Sequence, residues 1–172
     1  MCIRDSLVGG IVDVFEAEGL RVFGPRKNAA ILEGSKAFSK DLMKKYNIPT
    51  AAYENFDDPK AALAYLETAD FPIVLKADGL ALGKGVLICQ DLDEAKAGVK
   101  EIMEDKKFGS AGNRLVIEEF MTGREVSVLS FVDGKNIRIM TSAQDHKRAG
   151  DGDTGLNTGG MGTCLLYTSP SP

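Results

Sequence analysis

The chain has 172 residues, 44% of them hydrophobic and 27% charged, an ordinary balance for a soluble globular protein. A formal net charge of −4 excludes a general nucleic-acid binder, so any phosphate site must come from local clustering of cations. No apolar run approaches the roughly 20 residues that span a bilayer or forms a signal peptide's core, and three cysteines without disulfide or metal spacing fit a reducing cytoplasm.

Residues 1–6 show no periodicity. From there Val8, Ile11, Val12 and Phe15 follow the i, i+3, i+4, i+7 pattern of an amphipathic helix, which Gly19 stops. Arg21–Phe23 reads as a short strand closed by Gly24-Pro25, so this segment resembles the last helix–strand unit of an α/β domain. Asn28–Leu32 and Gly34 lead into a helix over Ser35–Tyr46, with Ser35 as N-cap and Phe38, Leu42 and Tyr46 on one face. A strand over Thr50–Phe56 precedes Asp57-Asp58-Pro59, a cap followed by proline at the first helical position. That signal predicts a helix over Pro59–Thr68 that buries Ala62, Leu63 and Leu66.

Phe71–Leu75 and Val86–Cys89 are apolar, strand-length runs around a loop with three glycines, Gly79, Gly83 and Gly85. Lys76 closes the first strand and Lys84 sits near the loop tip. Glycines let backbone N–H groups approach an anion, and lysines add point charges that meet phosphate oxygens. The loop is not a Walker loop, because Gly85 stands where Ser or Thr is required and a strand follows instead of a helix. It is not a dinucleotide fingerprint either. It reads as a hairpin flap over phosphates, or alone as a mobile hairpin with solvated lysines.

Asp91–Glu94 opens a helix with a capping-box-like start, running to about Lys106 with Ala95, Val99, Ile102 and Met103 inside. A strand over Leu115–Phe120 ends in Glu118-Glu119-Phe120, and Glu125 opens the next strand. A strand-end backbone can read a purine edge and a carboxylate can accept from ribose hydroxyls, although acids here also read as a solvated strand end. Glu125–Val132 and Asn136–Thr141 form a hairpin across Asp133-Gly134. From Ser142 through Gly162 the chain is polar and glycine-rich, predicting a loop. It combines Asp145-His146-Lys147-Arg148 with Asn157-Thr158-Gly159-Gly160, a turn whose N–H groups suit an anion nest. His146, the one histidine, receives no proton-transfer role, and no residue is assigned as catalytic acid or base. The element order indicates an α+β fold.

These stretches, with Leu32–Lys36, Ile48-Pro49-Thr50, Gln144–Arg148 and Asn157–Gly162, closely resemble the phosphoribosylamine–glycine ligase family of the ATP-grasp superfamily, from about Leu7 to Gly162. The resemblance implies an ATP-grasp fold and a cytoplasmic step of purine biosynthesis. In that step glycine is joined to 5-phosphoribosylamine through glycyl phosphate, giving glycinamide ribonucleotide, ADP and phosphate. It implies ATP and Mg2+ (or Mn2+) as cofactors, glycine and 5-phosphoribosylamine as partners, neither nucleic acid nor membrane, and a monomeric parent. By the same resemblance Lys36 and Lys76 hold nucleotide phosphates, and Gly83, Lys84 and Gly85 close over them. Glu118, Glu119 and Phe120 form the adenine hinge and Glu125 meets the ribose. Asp145, Lys147 and Arg148, with Asn157, Thr158, Gly159 and Gly160, hold phosphoribosylamine and glycine.

The implied organisation is a non-family tail over 1–6 and the end of an N-terminal α/β domain over 7–34. An incomplete ATP-grasp domain follows over 35–162, with a small lid at about 51–119, and a second tail over 163–172. The family's metal ligands are expected beyond Gly162, so the 172-residue chain is expected to be inactive by itself. The rival expectations are another ATP-grasp carboxylate–amine ligase, or a nucleotide-binding module without catalysis.

Overall fold

The structure is a computed structural model that describes residues 3–81, 85–152 and 154–165. The chain divides into two compact units, Met1–Met121 and Thr122–Pro172. Among the described residues no helix is long and apolar enough to cross a membrane.

The first unit begins with two helices, α1 (Ile3–Gly9) and α2 (Ile11–Ala17), where the periodicity predicts one. Gly10 breaks them apart, because its φ of 94° lies in the left-handed region that a continuing helix cannot use. The predicted stop at Gly19 is present as a Schellman turn. Gly19 has φ 69°, Leu20 N–H donates to Phe15 O at 2.9 Å and Gly19 N–H to Glu16 O at 3.0 Å. Arg21–Phe23 does not form the predicted strand, and among the described residues it joins none of the sheets. Helix α3 (Lys27–Gly34) runs directly into α4 (Lys36–Lys45), whose N-cap Ser35 Oγ accepts from Phe38 N–H at 3.0 Å.

Helix α4 turns a different face inward from the one the pattern suggests. Phe38 and Tyr46 are exposed, whereas Ala37 and Lys40 are buried. A lysine takes a core position only when its ammonium is paired, and here the pairing decides the rotation of the helix.

Beyond α4 lies a four-stranded antiparallel sheet of β1 (Tyr53–Phe56), β2 (Ile73–Ala77), β3 (Val86–Cys89) and β4 (Leu115–Glu119). Its order is β1-β4-β2-β3, so β2 is an inner strand bonded on both sides. The first flap strand starts two residues later than the apolar run and ends at Ala77, so Lys76 lies inside it, opposite Val86 and Val116, instead of closing it. Pro72 has no N–H to give to a ladder, which is consistent with pairing beginning at Ile73.

Helix α5 (Pro59–Leu66) is capped by Asp58, whose side chain accepts from Lys60 N–H at 3.2 Å. Helix α6 (Leu92–Val99) is capped by Asp91, which accepts from Glu94 N–H at 2.9 Å while Glu94 accepts from Gln90 N–H at 2.8 Å. A π-helical turn, Lys100–Glu104, continues α6 and buries Ile102 and Met103 as expected.

The strand period of two divides the sheet's side chains between its faces. Ile73, Leu75, Ala77, Leu115 and Ile117 join Ala62 and Leu66 of α5 and Ala95 and Val99 of α6 in one apolar core. The intervening residues of β2 and β4, including Lys76 and Glu118, point away from those helices. Lys76 and Glu118 thus become diagonal neighbours, because Val74 pairs with Glu118 and Lys76 with Val116.

In the second unit β5 (Ser130–Val132) and β6 (Ile137–Ile139) form the predicted hairpin across Asp133-Gly134, in shorter form. Gly134 has φ 91°, and the Asp133 carboxylate accepts from Asn136 N–H at 2.7 Å, Lys135 N–H at 2.9 Å and Asn136 Nδ2 at 3.0 Å. These donors, Asn136 foremost, hold Asp133 down at about 2. A carboxylate with a depressed folded value contributes stability that is complete above its unfolded value near 3.8 and is lost as pH falls through about 2. The turn amides of Lys135 and Asn136 should therefore shift in an NMR titration between pH 4 and 2. An Asp133→Asn chain should show no such transition, and a transition unchanged by that substitution would refute the assignment.

Residues 142–162 are not the loop the composition predicts. Strands β7 (Ala143–Gly150) and β8 (Thr154–Leu165) pair antiparallel, with irregular register around Arg148. Much of this hairpin is exposed and glycine-rich, so no buried face imprints an alternating pattern on its sequence.

Candidate functional site

The chemistry of the first unit gathers where the N-terminal half of α4 meets β2, β4 and the root of the glycine loop. Asp78 follows β2 and ties that root to the helix. Its Oδ2 accepts from Ser35 Oγ and its Oδ1 from Ala37 N–H, both at 3.1 Å. In the opposite direction Lys36 Nζ donates to Ala77 O at 2.9 Å and Gly79 O at 2.7 Å. The loop's exit is fastened too, since Asp78 N–H donates to Arg114 O at 3.0 Å and Ala77 N–H to Gly85 O at 2.9 Å. Gly79 has φ 101°, and a Cβ on Gly85 would lie 2.6 Å from Ala81 Cβ, so both positions require glycine. Gly83 and Lys84, two of the expected phosphate contacts, lie outside the described residues.

Beside this clasp lies a cluster of three lysines. Glu118 Oε2 accepts from Lys76 Nζ at 2.8 Å and faces Lys40 Nζ at 3.0 Å. Lys40 also donates to Thr50 Oγ1 at 2.7 Å and Ala51 O at 3.4 Å. Burial pushes the Lys36 ammonium below the ordinary lysine value; Asp78 opposes that shift and the Lys76 charge adds to it. Lys36, Lys40 and Lys76 bring three ammonium groups together, with the carboxylates of Asp78, Glu118 and, toward Lys36, Glu33 acting on them. Clustered, part-buried ammonium groups of this kind can meet an anion locally even though the chain as a whole is acidic.

Lys36, Lys76, Gly85 and Glu118, named from sequence, are thus brought together. Glu119 and Phe120 continue the same strand end outward; both are exposed, and Glu119 N–H donates to Ala52 O at 3.0 Å. Sequence reasoning missed Lys40 and Asp78. Lys40 follows Lys36 by four residues on a helix face, and Asp78 stands in the glycine loop, so each reads as solvated until its distant partner is known.

A groove of about 560 Å³ runs beside the C-terminal end of α4 and is lined in part by Thr50, Ala51 and Tyr53. It shares Thr50 and Ala51 with the surroundings of Lys40, but Lys36, Lys76 and Glu118 do not line it. The charge lies at the lysines, so the site is placed there.

In the second unit Lys147 Nζ stands 3.5 Å from Asp145 and 3.6 Å from Glu125, which brings three of the sequence-named residues together. Arg148 donates to Gly155 O at 2.7 Å. Thr158-Gly159-Gly160 lies within β8 instead of forming the expected turn. Thr158 Oγ1 donates to Lys147 O at 2.9 Å and accepts from Gly160 N–H at 3.1 Å, so that amide is already engaged. Asn157 pairs with Arg148 in the ladder. Among the described residues no group of three or more His, Cys, Asp or Glu side chains is placed to hold a metal ion.

A family model described as phosphoribosylglycinamide synthetase, ATP-grasp (A) domain, matches residues 34–171. A phosphoribosylamine–glycine ligase of Pasteurella multocida is 57% identical over 166 residues, covering 96% of this chain and 38% of that protein. The enzyme of that name from Escherichia coli O6:H1 is 54% identical over the same length. The crystal structure of a phosphoribosylamine–glycine ligase from Thermotoga maritima superposes with a TM-score of 0.77 at 42% identity, covering 83% of this chain and 36% of that one. D-alanine–D-alanine ligase from Helicobacter pylori superposes at 0.63 with 21% identity, a likeness of fold alone. The chain spans 38% of the length of the curated relatives it matches. It has the ATP-grasp fold, and it belongs to the phosphoribosylglycinamide synthetase family.

Proposed function

We propose that this chain is the phosphate-holding part of an enzyme that joins glycine to 5-phosphoribosylamine with ATP, a carboxylate–amine ligase of cytoplasmic purine biosynthesis. One observation carries the reading: Lys36 and Lys76 converge at the root of a glycine loop, in a chain of this family. Bound ATP supplies the phosphoryl group that activates the glycine carboxylate. Lys36 exchanges the carbonyls of Ala77 and Gly79 for phosphate oxygens, and Lys76 turns from Glu118 to the same anion. Charge neutralisation and positioning are then the chain's contribution, and no residue of it is assigned to accept the proton that the attacking amine loses. The strand end Glu118-Glu119-Phe120 is assigned to the adenine and Glu125 to the ribose. Asp145, Lys147, Arg148 and the Asn157–Gly160 segment are assigned to the phosphoribosylamine and glycine. The divalent metal that the family implies finds no donor cluster among the described residues, so no step is routed through it.

Titrating ATP into the purified chain tests the reading. Lys76→Ala should weaken binding by roughly 10- to 100-fold, the range of a lost charge-assisted hydrogen bond. Equal affinity in the variant, or no binding by the unaltered chain, would rule out this nucleotide site.

A further inference from the structure

Lys40 is a buried cation with no evident part in holding a ligand. Its side chain is 9% exposed, and Thr50 Oγ1, Ala51 O and Glu118 Oε2 all lie around its ammonium. Lys40 donates to Thr50 Oγ1 and Ala51 O and pairs its charge with Glu118, so its ammonium is engaged on the protein side. Lys76 is placed differently. Its side chain is 28% exposed, and Glu118 is the partner it contacts among the described residues, so it has protons to offer outward.

Both lysines meet the same oxygen of a carboxylate whose side chain is only 6% exposed. If Lys76 were its sole counter-ion, moving Lys76 to a phosphate would leave a bare buried carboxylate, a penalty that opposes binding. With Lys40 fixed on Glu118, the carboxylate remains neutralised whichever way Lys76 points. The trio also keeps one net positive charge for the anion to meet.

We propose that Lys40 is a positioning residue that neutralises Glu118 and thereby leaves Lys76 available to an anionic ligand. That the ligand is the nucleotide triphosphate rests on the reading above; the Lys40–Glu118–Lys76 relation does not. Lys40 acts through Glu118 and touches neither the ligand nor the reacting atoms.

The test compares the unaltered chain with Lys40→Met, Lys40→Arg, Glu118→Gln and the double variant Lys40→Met/Glu118→Gln. The first readout is the rate at which the Lys76 amine is acylated by a trace amine-reactive reagent, resolved by peptide mass spectrometry. Lys40→Met should slow labelling of Lys76 about fivefold, because Glu118 then holds Lys76 alone. Lys40→Arg should label Lys76 at close to the original rate, and the double variant, which lacks the Glu118 carboxylate, at that rate or faster. An unchanged rate in a folded Lys40→Met chain would overturn the proposal. If Lys40→Met does not fold, the decision falls to Glu118→Gln against the double variant. Without the carboxylate Lys40 has nothing to neutralise, so these two should label Lys76 alike, and a severalfold difference would overturn the proposal.

The second readout is ATP affinity. Lys40→Met should weaken it about tenfold when Lys76 is present and less than about twofold in a Lys76→Ala background, as coupled sites require. Equal weakening in both backgrounds would contradict the assignment. Absence of ATP binding by the unaltered chain would refute the nucleotide reading alone, and Lys76 labelling would still decide the role of Lys40.

Discussion

Glu118→Leu is expected to destabilise the first unit by about 3–5 kcal/mol, because it strands a buried ammonium. Lys40 would keep Thr50 Oγ1 and Ala51 O but lose its ion-pair partner, in a position where its side chain is 9% exposed. Lys76, 28% exposed, can reach water and should add little to the loss. For a unit of this size the effect amounts to a drop in Tm on the order of 10 °C or more. The cost belongs to the stranded charge, since a buried ion pair replaced whole is often nearly neutral. The Lys40→Met/Glu118→Leu double variant should therefore recover most of the stability. Thermal melts of the three chains decide the matter. A single Glu118→Leu variant that melts with the unaltered chain would show that the cluster is wetter and weaker than its geometry indicates.

Gly112→Ala is expected to cost about 3 kcal/mol or more, for steric reasons alone. Gly112 is buried in the 3₁₀ turn Gly109–Asn113, and a Cβ there would lie 2.1 Å from the backbone oxygen of Ile102. That oxygen belongs to the π-helical turn continuing α6, whose Ile102 and Met103 are buried in the core beneath β2 and β4. Neither backbone can withdraw without moving core side chains, and close-packed interiors resist such shifts. Lys106 Nζ also donates to Gly112 O at 3.2 Å, so displacing the turn loses that contact as well. Chemical denaturation should show a lower midpoint with an unchanged slope. A midpoint within experimental error of the original would mean that the turn relaxes freely, against this account.

Most helix starts and stops were legible in the sequence because their chemistry is local. Ser35, Asp58 and Asp91 each cap a helix through an amide two or three residues away, and Gly19 closes α2 with bonds spanning at most five. The core positions of α5 and α6 were legible for the same reason, since apolar spacing records which side of a helix meets a sheet. Arg21–Phe23 and residues 142–162 misled in opposite directions. The first is a β-prone run that joins no sheet among the described residues, and the second is a polar run that pairs with itself.

By itself, then, the sequence determined the capped helices from Ser35 onward, the two strands that flank the glycine loop, and the family whose motifs carry Lys36, Lys76 and Glu118. Only the tertiary structure decided that β2 is flanked by β3 and β4, that Lys76 lies within a strand beside Glu118, and that α4 buries Lys40 in preference to Phe38 or Tyr46. The physical reason is range. Caps and apolar stripes are settled within a few residues, whereas the energy of a buried charge depends on a partner contributed by a distant strand.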